Sequence, residues 1–282
     1  MPKVKVGDVQ IFYQEAGRGD PLLLIMGWGA DSTGWALQVP AFSAEFRCVA
    51  FDNRGCGQSD QPDVPYTTRL LASDAVGLMD ALGIERAHVA GLSMGGMIAQ
   101  EIAINHPERV RTLQLHATLA RPDAYLVAVG RSLLWARAAF TREQFVQALL
   151  PWVFSPRTYG ERPELVELMV QRLVENPYPA SLTGLTRQAE ACWGHDTVER
   201  LHRVHCPTLV TVGEDDIFVP LRFARVLQER IPEAELVVIK DGGHGHLWEQ
   251  FEVFNEACLA FLRKHRGDVR GWGAASPDQS QR

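Results

Sequence analysis

A serine flanked by glycines is the clearest candidate for covalent chemistry in this chain. It lies in residues 91–95 (GLSMG), which match the nucleophile-elbow pattern G-x-S-x-G. The run follows an apolar segment typical of a buried strand and precedes a segment with helical periodicity. A sharp turn there would lift the Ser93 hydroxyl above a sheet and aim free helix N–H groups at a reacting carbonyl. The pattern predicts that Ser93 is a nucleophile; the alternative is a glycine-rich turn with an incidental serine.

A serine hydroxyl is a weak nucleophile and needs a base that is itself held by an acid. Two loops of the chain carry such groups. Asp215 and Asp216 follow one apolar run, and His244 and His246 follow the last one. We expect the acid and the base to come from these loops, although both aspartates could simply cap the next helix.

Further motifs resemble the α/β-hydrolase superfamily, and the likeness covers nearly the whole chain outside residues 119–195 and the C-terminal tail. Residues 26–29 (MGWG) stand where the family has His-Gly-x-x, and residues 52–59 (DNRGCGQS) resemble its D-x-R-G-x-G-x-S turn. The group that it resembles most comprises capped serine esterases, enol-lactonases and carbon–carbon bond hydrolases. The resemblance implies an α/β fold with a mostly parallel, twisted sheet, helices on both faces and a helical cap insertion.

The resemblance also implies a triad in the chain order serine, acid, histidine. Residues 213–220 resemble the family pattern G-x-x-D-x-x-x-P, whose register selects Asp216 over Asp215. The family pattern G-H-x-x-x-x-E fits His244 with Glu249, which leaves His246 as a rim residue or a pocket contact. The predicted catalytic residues are Ser93, Asp216 and His244, and no metal or organic cofactor is implied.

Acyl transfer through such a triad needs two N–H donors for the oxyanion, each contributing on the order of a few kcal/mol. The backbone N–H groups of Met94 and Trp28 are the expected donors. Met26 replaces the histidine that the family usually has at the start of the Trp28 loop. Because backbone groups bind the oxyanion, this replacement need not abolish the site, but it removes a side chain that often braces the loop.

The elements that must position these residues alternate along the chain. Strand-like runs occupy residues 4–6, 9–13, 22–26, 48–51, 88–91, 113–115, 208–212 and 236–239, and the first two are predicted to form a hairpin through residues 7–8. Residues 70–82 and 97–105 have helical periodicity. Strands that alternate with helices predict a mostly parallel sheet with right-handed crossovers.

The alternation stops between about residues 118 and 196, where no strand-like run occurs and prolines at 151, 156, 163, 177 and 179 interrupt several helical patterns. The segment is too long for a loop, so we predict a helical cap at residues 119–195 on a core of residues 1–118 and 196–266. Residues 267–282 are predicted to be a disordered tail.

The cap is expected to choose the substrate. Its many aromatic residues indicate an apolar pocket, and one of its eight arginines, if it faced inward, would select an acidic substrate. The sequence does not decide whether His195 belongs to a hinge or to the pocket. The predicted substrate contacts are Trp28, Trp135, Trp152 and His246.

Composition limits the partners. With 46% hydrophobic residues, 22% charged residues and a net charge of −6, the chain is typical of a globular protein and unsuited to nucleic acid or membrane surfaces. Residues 1–10 lack the apolar stretch of a secretory signal, and the five scattered cysteines indicate neither a zinc site nor a disulfide framework. We therefore expect a cytoplasmic protein that acts on a small molecule, although a mature secreted form whose signal had been removed would have a similar sequence. The oligomeric state is left open.

Three functions are compatible with these residues. The first is cleavage of a small or medium carboxylic ester through an acyl-enzyme. The second uses the same triad on another bond, as an enol-lactonase of the 3-oxoadipate type, a carbon–carbon bond hydrolase or an amidase. The third is a binding protein on the same scaffold, which has no need of an elbow nucleophile. Dehalogenases and epoxide hydrolases of this superfamily carry aspartate at the nucleophile position, so Ser93 argues against both.

Overall fold

Eight strands form one sheet in a computed structural model that describes residues 2–266 of the chain. The strands are β1 (Lys3–Val6), β2 (Val9–Ala16), β3 (Pro21–Ile25), β4 (Arg47–Phe51), β5 (Ala87–Leu92), β6 (Val110–His116), β7 (Thr208–Gly213) and β8 (Glu235–Ile239). Their order across the sheet is β1-β2-β4-β3-β5-β6-β7-β8. The tail predicted at residues 267–282 lies outside the described residues.

The sheet is mostly parallel, as predicted. The hairpin of β1 and β2 is confirmed: Val6 pairs with Val9 across a turn in which Gly7 has a φ of +55°. β2 also runs antiparallel to β4, whereas every neighbouring pair from β4 to β8 is parallel. Since parallel strands share their carboxyl ends, the loops after β3, β5, β7 and β8 meet at one edge of the sheet.

Eleven α-helices lie in the described part of the chain. They are α1 (Val39–Phe42), α2 (Thr68–Ala81), α3 (Met94–Asn105), α4 (Ala124–Ala139), α5 (Arg142–Val153), α6 (Pro156–Glu161), α7 (Pro163–Glu175), α8 (Leu182–Trp193), α9 (Leu221–Arg230), α10 (His246–Glu249) and α11 (Phe251–Lys264). The two helices expected from periodicity correspond to α2 and α3.

Both faces of the sheet are covered by helices, which explains the continuous apolar runs. In β3, Leu23 and Ile25 pack into one cluster with residues of α2 and α3, and Leu22 and Leu24 pack into another with residues of α11. All four side chains are buried. Burial of apolar surface on both sides stabilises the strand by roughly 25 cal/mol per Å².

Between β6 and β7 the described chain contains no strand, and residues 119–195, here called the helical insertion, carry α4 to α8. The side chains of Asp123, Thr141, Ser155 and Ser181 cap the N-termini of four of these helices. Pro156 and Pro163 open helices, as first-turn prolines do. Pro151 was predicted to interrupt a helix, but it lies within α5, two residues before the end of that helix.

None of the helices in residues 2–266 is long and apolar enough to span a membrane.

Candidate active site

Ser93 occupies a strained turn between the end of β5 and the start of α3. Its φ of 55° and ψ of −117° are values that glycine adopts freely and other residues rarely do. The surrounding structure fixes this conformation: the Ser93 N–H donates to the His116 carbonyl at 2.8 Å, and the Thr118 hydroxyl donates to the Ser93 carbonyl at 2.7 Å. Such strain costs about 1–3 kcal/mol and persists where the surroundings over-determine it.

The glycines around Ser93 allow neighbouring backbones to come close. A Cβ on Gly91 would lie 2.2 Å from the Gly95 carbonyl oxygen, and one on Gly95 would lie 2.1 Å from the Ile25 carbonyl oxygen. Neither glycine has a positive φ. These glycines are therefore needed because there is no room for a Cβ atom, and not because their backbone angles exclude other residues. A larger residue at either position would displace the turn that carries Ser93.

Asp216 and His244 come together from the loops after β7 and β8. His244 Nδ1 lies 2.9 Å from Asp216 Oδ2, and both side chains are buried. The other carboxylate oxygen accepts the N–H groups of Phe218 at 2.9 Å and Val219 at 2.7 Å. Because the carboxylate accepts, Nδ1 carries the proton of the neutral ring, and Nε2 is left as the basic nitrogen. Asp215, the alternative acid, is exposed.

Ser93 and His244 line the same cavity, which has a volume of about 430 Å³. Its walls are largely apolar and come from both the core and the helical insertion. The insertion contributes Leu149, Leu150, Val153, Met169, Arg172, Leu173, Glu175, Asn176 and Pro177. The volume falls in the range of small-molecule sites.

The Trp28 loop is held by side chains that sequence reasoning missed. Asn53 donates to the Met26 carbonyl at 3.0 Å, and Gln188 of α8 accepts the Gly29 N–H at 2.8 Å. Trp28 itself donates its indole N–H to the Leu185 carbonyl at 2.8 Å. Within residues 2–266, the backbone N–H groups of Trp28 and Met94 donate to no protein acceptor. Both are therefore free to bind an oxyanion.

Glu249 joins the His244 loop to the helical insertion. Its buried carboxylate accepts the Ser155 N–H at 2.7 Å and the Thr158 hydroxyl at 2.6 Å, and it also accepts the Gly243 N–H. The G-H-x-x-x-x-E pattern had singled out this residue without a role. The contacts supply one: Glu249 fixes the backbone next to His244.

Of the four predicted substrate contacts, the structure brings Trp28 to the cavity and places the other three elsewhere. Trp135 lies on α4 with 71% of its surface exposed. Trp152 packs against Phe218 at a ring-centroid distance of 6.1 Å, and it is Phe218 that lines the cavity. His246 lies behind the site, with Nε2 2.9 Å from the Thr211 hydroxyl, and burial lowers its pKa to about 4. Residue type alone does not show which way these rings turn.

His195, left open between two roles, is buried at the C-terminal end of the insertion. Its Nδ1 lies 2.9 Å from the Thr68 hydroxyl of α2, and burial lowers its pKa to about 4. It contacts the core and does not line the cavity.

Comparisons with known proteins agree with this fold. Residues 20–251 match the family model described as alpha/beta hydrolase fold. The chain therefore belongs to the α/β-hydrolase family, and it is a hydrolase.

Three similar proteins illustrate the range of activities in this family. A relative from Azorhizobium caulinodans, provisionally named carbamate hydrolase RutD, is 33% identical over 264 residues, which are 93% of this chain and 98% of the relative. The enol-lactonase from Burkholderia xenovorans LB400 is 28% identical with a TM-score of 0.85, over 93% of this chain and 100% of its own. A thermophilic esterase from Thermogutta terrifontis, solved with malate bound, is 29% identical with a TM-score of 0.84, over 94% and 99%.

Proposed function

We propose that the protein is a serine esterase, which cleaves a carboxylic ester through an acyl-enzyme on Ser93. The observation that carries this proposal is the hydrogen bond between Asp216 and His244, whose ring lines the same cavity as the strained Ser93. The similarity to an esterase supports the choice of bond.

The mechanism follows from the positions of these groups. His244 Nε2 takes the Ser93 proton while the serine oxygen bonds to the ester carbonyl carbon, and the N–H groups of Trp28 and Met94 bind the oxyanion. His244 then gives the proton to the departing alcohol as the carbon–oxygen bond breaks. A water molecule, deprotonated by the same histidine, attacks the acyl-enzyme and releases the acid. Asp216 keeps the imidazole in orientation and stabilises its charged form.

Replacement of the nucleophile tests the proposal. We expect Ser93→Ala to lower kcat on p-nitrophenyl esters by at least about 10³-fold, because no hydroxyl remains to form the acyl-enzyme. Wild-type protein should be labelled by a fluorophosphonate at Ser93, shown by mass spectrometry of the peptide. The control is Ser73→Ala, on the exposed side of α2. Wild-type turnover by Ser93→Ala would overturn the proposal.

Enol-lactone hydrolysis is the second candidate, and Arg172 favours it. This arginine of the insertion lines the cavity and forms no ion pair within residues 2–266; it donates to the Thr33 carbonyl at 2.9 Å. It is thus available to a substrate carboxylate. The similarity to an enol-lactonase supports a lactone as the bond that is cleaved.

The variant Arg172→Met distinguishes the esterase from the enol-lactonase. If the substrate carries a carboxylate, the variant should raise KM for carboxylate-bearing lactones about tenfold or more and leave neutral esters unchanged. The control is Arg225→Met on α9, away from the cavity. Equal effects on neutral and anionic substrates would rule out carboxylate binding by Arg172.

We also propose that the helical insertion is a cap domain on a core of residues 1–118 and 196–266, and that the protein is cytoplasmic. The insertion's contribution to the cavity wall supports the first statement. All five cysteines are free, which supports the second.

A further inference from the structure

A second, smaller cavity meets the first one at Ser93. Its volume is about 60 Å³, and it shares three lining residues with the larger cavity: Trp28, Ser93 and Phe218. A substrate carbonyl bonded to Ser93 would therefore be next to both spaces. The two spaces differ in size, in polarity and in their access to His244.

The small cavity is apolar. Apart from Ser93, its walls come from residues such as Met97 of the core and Leu119, Leu126, Ala189 and Trp193 of the insertion. Cys192 also lines it, and burial raises the pKa of this thiol to about 12, so it stays uncharged. Among residues 2–266, none of those that line this space has a charged side chain. Because an unpaired polar group would lose its water there, the cavity suits hydrocarbon.

Its size limits what it holds. At about 10–15 Å³ for each water-sized group, 60 Å³ accommodates about four to six carbon-sized groups. The helices above it leave little freedom to expand, since a Cβ on Gly130 of α4 would lie 2.9 Å from the Trp193 indole nitrogen of α8. The large cavity, in contrast, is also lined by polar residues such as Arg172 and Asn176.

The position of His244 decides which half of the ester goes where. The tetrahedral carbon carries the Ser93 oxygen, the oxyanion, the leaving oxygen and the acyl chain. The leaving oxygen must receive its proton from His244, and His244 lines the large cavity but not the small one. The alcohol half therefore occupies the large cavity, and the acyl chain is directed into the small one.

Resting on the proposed esterase function, we infer that the enzyme selects esters of short, apolar acids of up to about six carbons joined to a bulky alcohol. The small cavity is the acyl site, and the large cavity is the alcohol site. Acyl chains longer than the small cavity have to displace the packed helices α4 and α8.

Two series of esters test this assignment. With p-nitrophenyl esters, kcat/KM should fall at least about tenfold from butanoyl to octanoyl, because the extra methylenes find no space. With acetate esters of phenol, 2-naphthol and larger phenols, kcat/KM should change by less than about threefold, because the alcohol site is large. Octanoyl esters cleaved as well as acetyl esters would overturn the assignment.

Matched variants of the two cavities show which cavity sets the preferred length of the acyl chain. Leu126→Ala enlarges the small cavity and should move the acyl optimum by one or two carbons. Met169→Ala enlarges the large cavity and should leave the acyl optimum in place. Leu165→Ala is the control, because Leu165 is half-buried in the insertion and lines neither cavity. An acyl optimum that moves with Met169→Ala and not with Leu126→Ala would reverse the two sites.

Failure of the function and failure of the assignment give different results. If neither series is cleaved and Ser93 is not labelled by a fluorophosphonate, the proposed esterase function is wrong. The assignment of the acyl site is then wrong as well, because it rests on that function. If cleavage depends on Ser93 but kcat/KM does not change with the length of the acyl chain, only the assignment of the acyl site is wrong.

Discussion

At the scale of single residues, the site depends on contacts that stabilise backbone next to the reacting groups. Glu249 is one of these residues, since its carboxylate accepts hydrogen bonds from the His244 loop and from the insertion. The carboxylate is buried, so water cannot replace it when it is lost. Unsatisfied buried donors cost about 1–3 kcal/mol each.

Glu249→Gln should lower both stability and activity. The glutamine amide N–H₂ cannot accept, so at least one of the donors at Ser155, Thr158 or Gly243 loses its partner. We expect the free energy of unfolding in urea to fall by about 1–3 kcal/mol and kcat to fall about tenfold. The control is Glu252→Gln, an exposed position on α11. Full kcat at a lowered free energy of unfolding would show that Glu249 stabilises the fold without positioning His244.

At the scale of elements, α8 of the insertion reaches the loop that carries the Trp28 N–H. Buried Gln188 donates to the Arg54 carbonyl and accepts the Gly29 N–H, both at 2.8 Å. One amide thus links two core loops through a helix of the insertion. This link holds the peptide that joins Trp28 to Gly29, directly after the one that carries the Trp28 N–H.

Gln188→Met keeps the length of the side chain and removes its hydrogen bonds. We expect kcat on an ester to fall about tenfold or more with a smaller change in KM, because a misplaced oxyanion donor weakens binding of the transition state. The control is Gln171→Met, exposed on α7. A lower melting temperature with unchanged kcat would limit Gln188 to a structural role.

The sequence predicted the strands, the parallel sheet and the location of Ser93, because buried strands and the elbow have short local patterns. It also placed Asp216 and His244 in loops that the sheet brings together. It did not predict Gln188, and it placed Trp135 and His246 in the pocket. These depend on which way a side chain turns between packed helices, and no local pattern fixes that direction.

At the scale of the whole molecule, four buried histidines make stability depend on pH. Burial lowers the pKa of His88, His195 and His246 to about 4 and that of His116 further. Between pH 6.5 and about 4 the unfolded chain therefore binds protons that the folded chain does not. Stability that is present at neutral pH is lost as the pH falls through this window, by up to about 1.4 kcal/mol per pH unit for each histidine.

Urea unfolding at several pH values between 7.5 and 5 measures this loss. We expect the free energy of unfolding to fall steadily, and His195→Asn to reduce the slope by up to one proton, whatever its effect on stability at pH 7.5. His202→Asn, at an exposed position, is the control. Identical slopes for the wild type and His195→Asn would show that His195 titrates alike in the folded and unfolded chains.

The backbone angles of Ser93 imply a trade-off between activity and stability. The chain stores strain at this position in every folded molecule, whether or not substrate is present, and the remaining contacts have to offset it. Glycine adopts the same angles freely, so a Ser93→Gly variant would lose the proposed nucleophile and relieve the backbone strain at the same time. A homologue that no longer needs catalysis could therefore replace Ser93 with glycine without a loss in the free energy of unfolding from backbone strain.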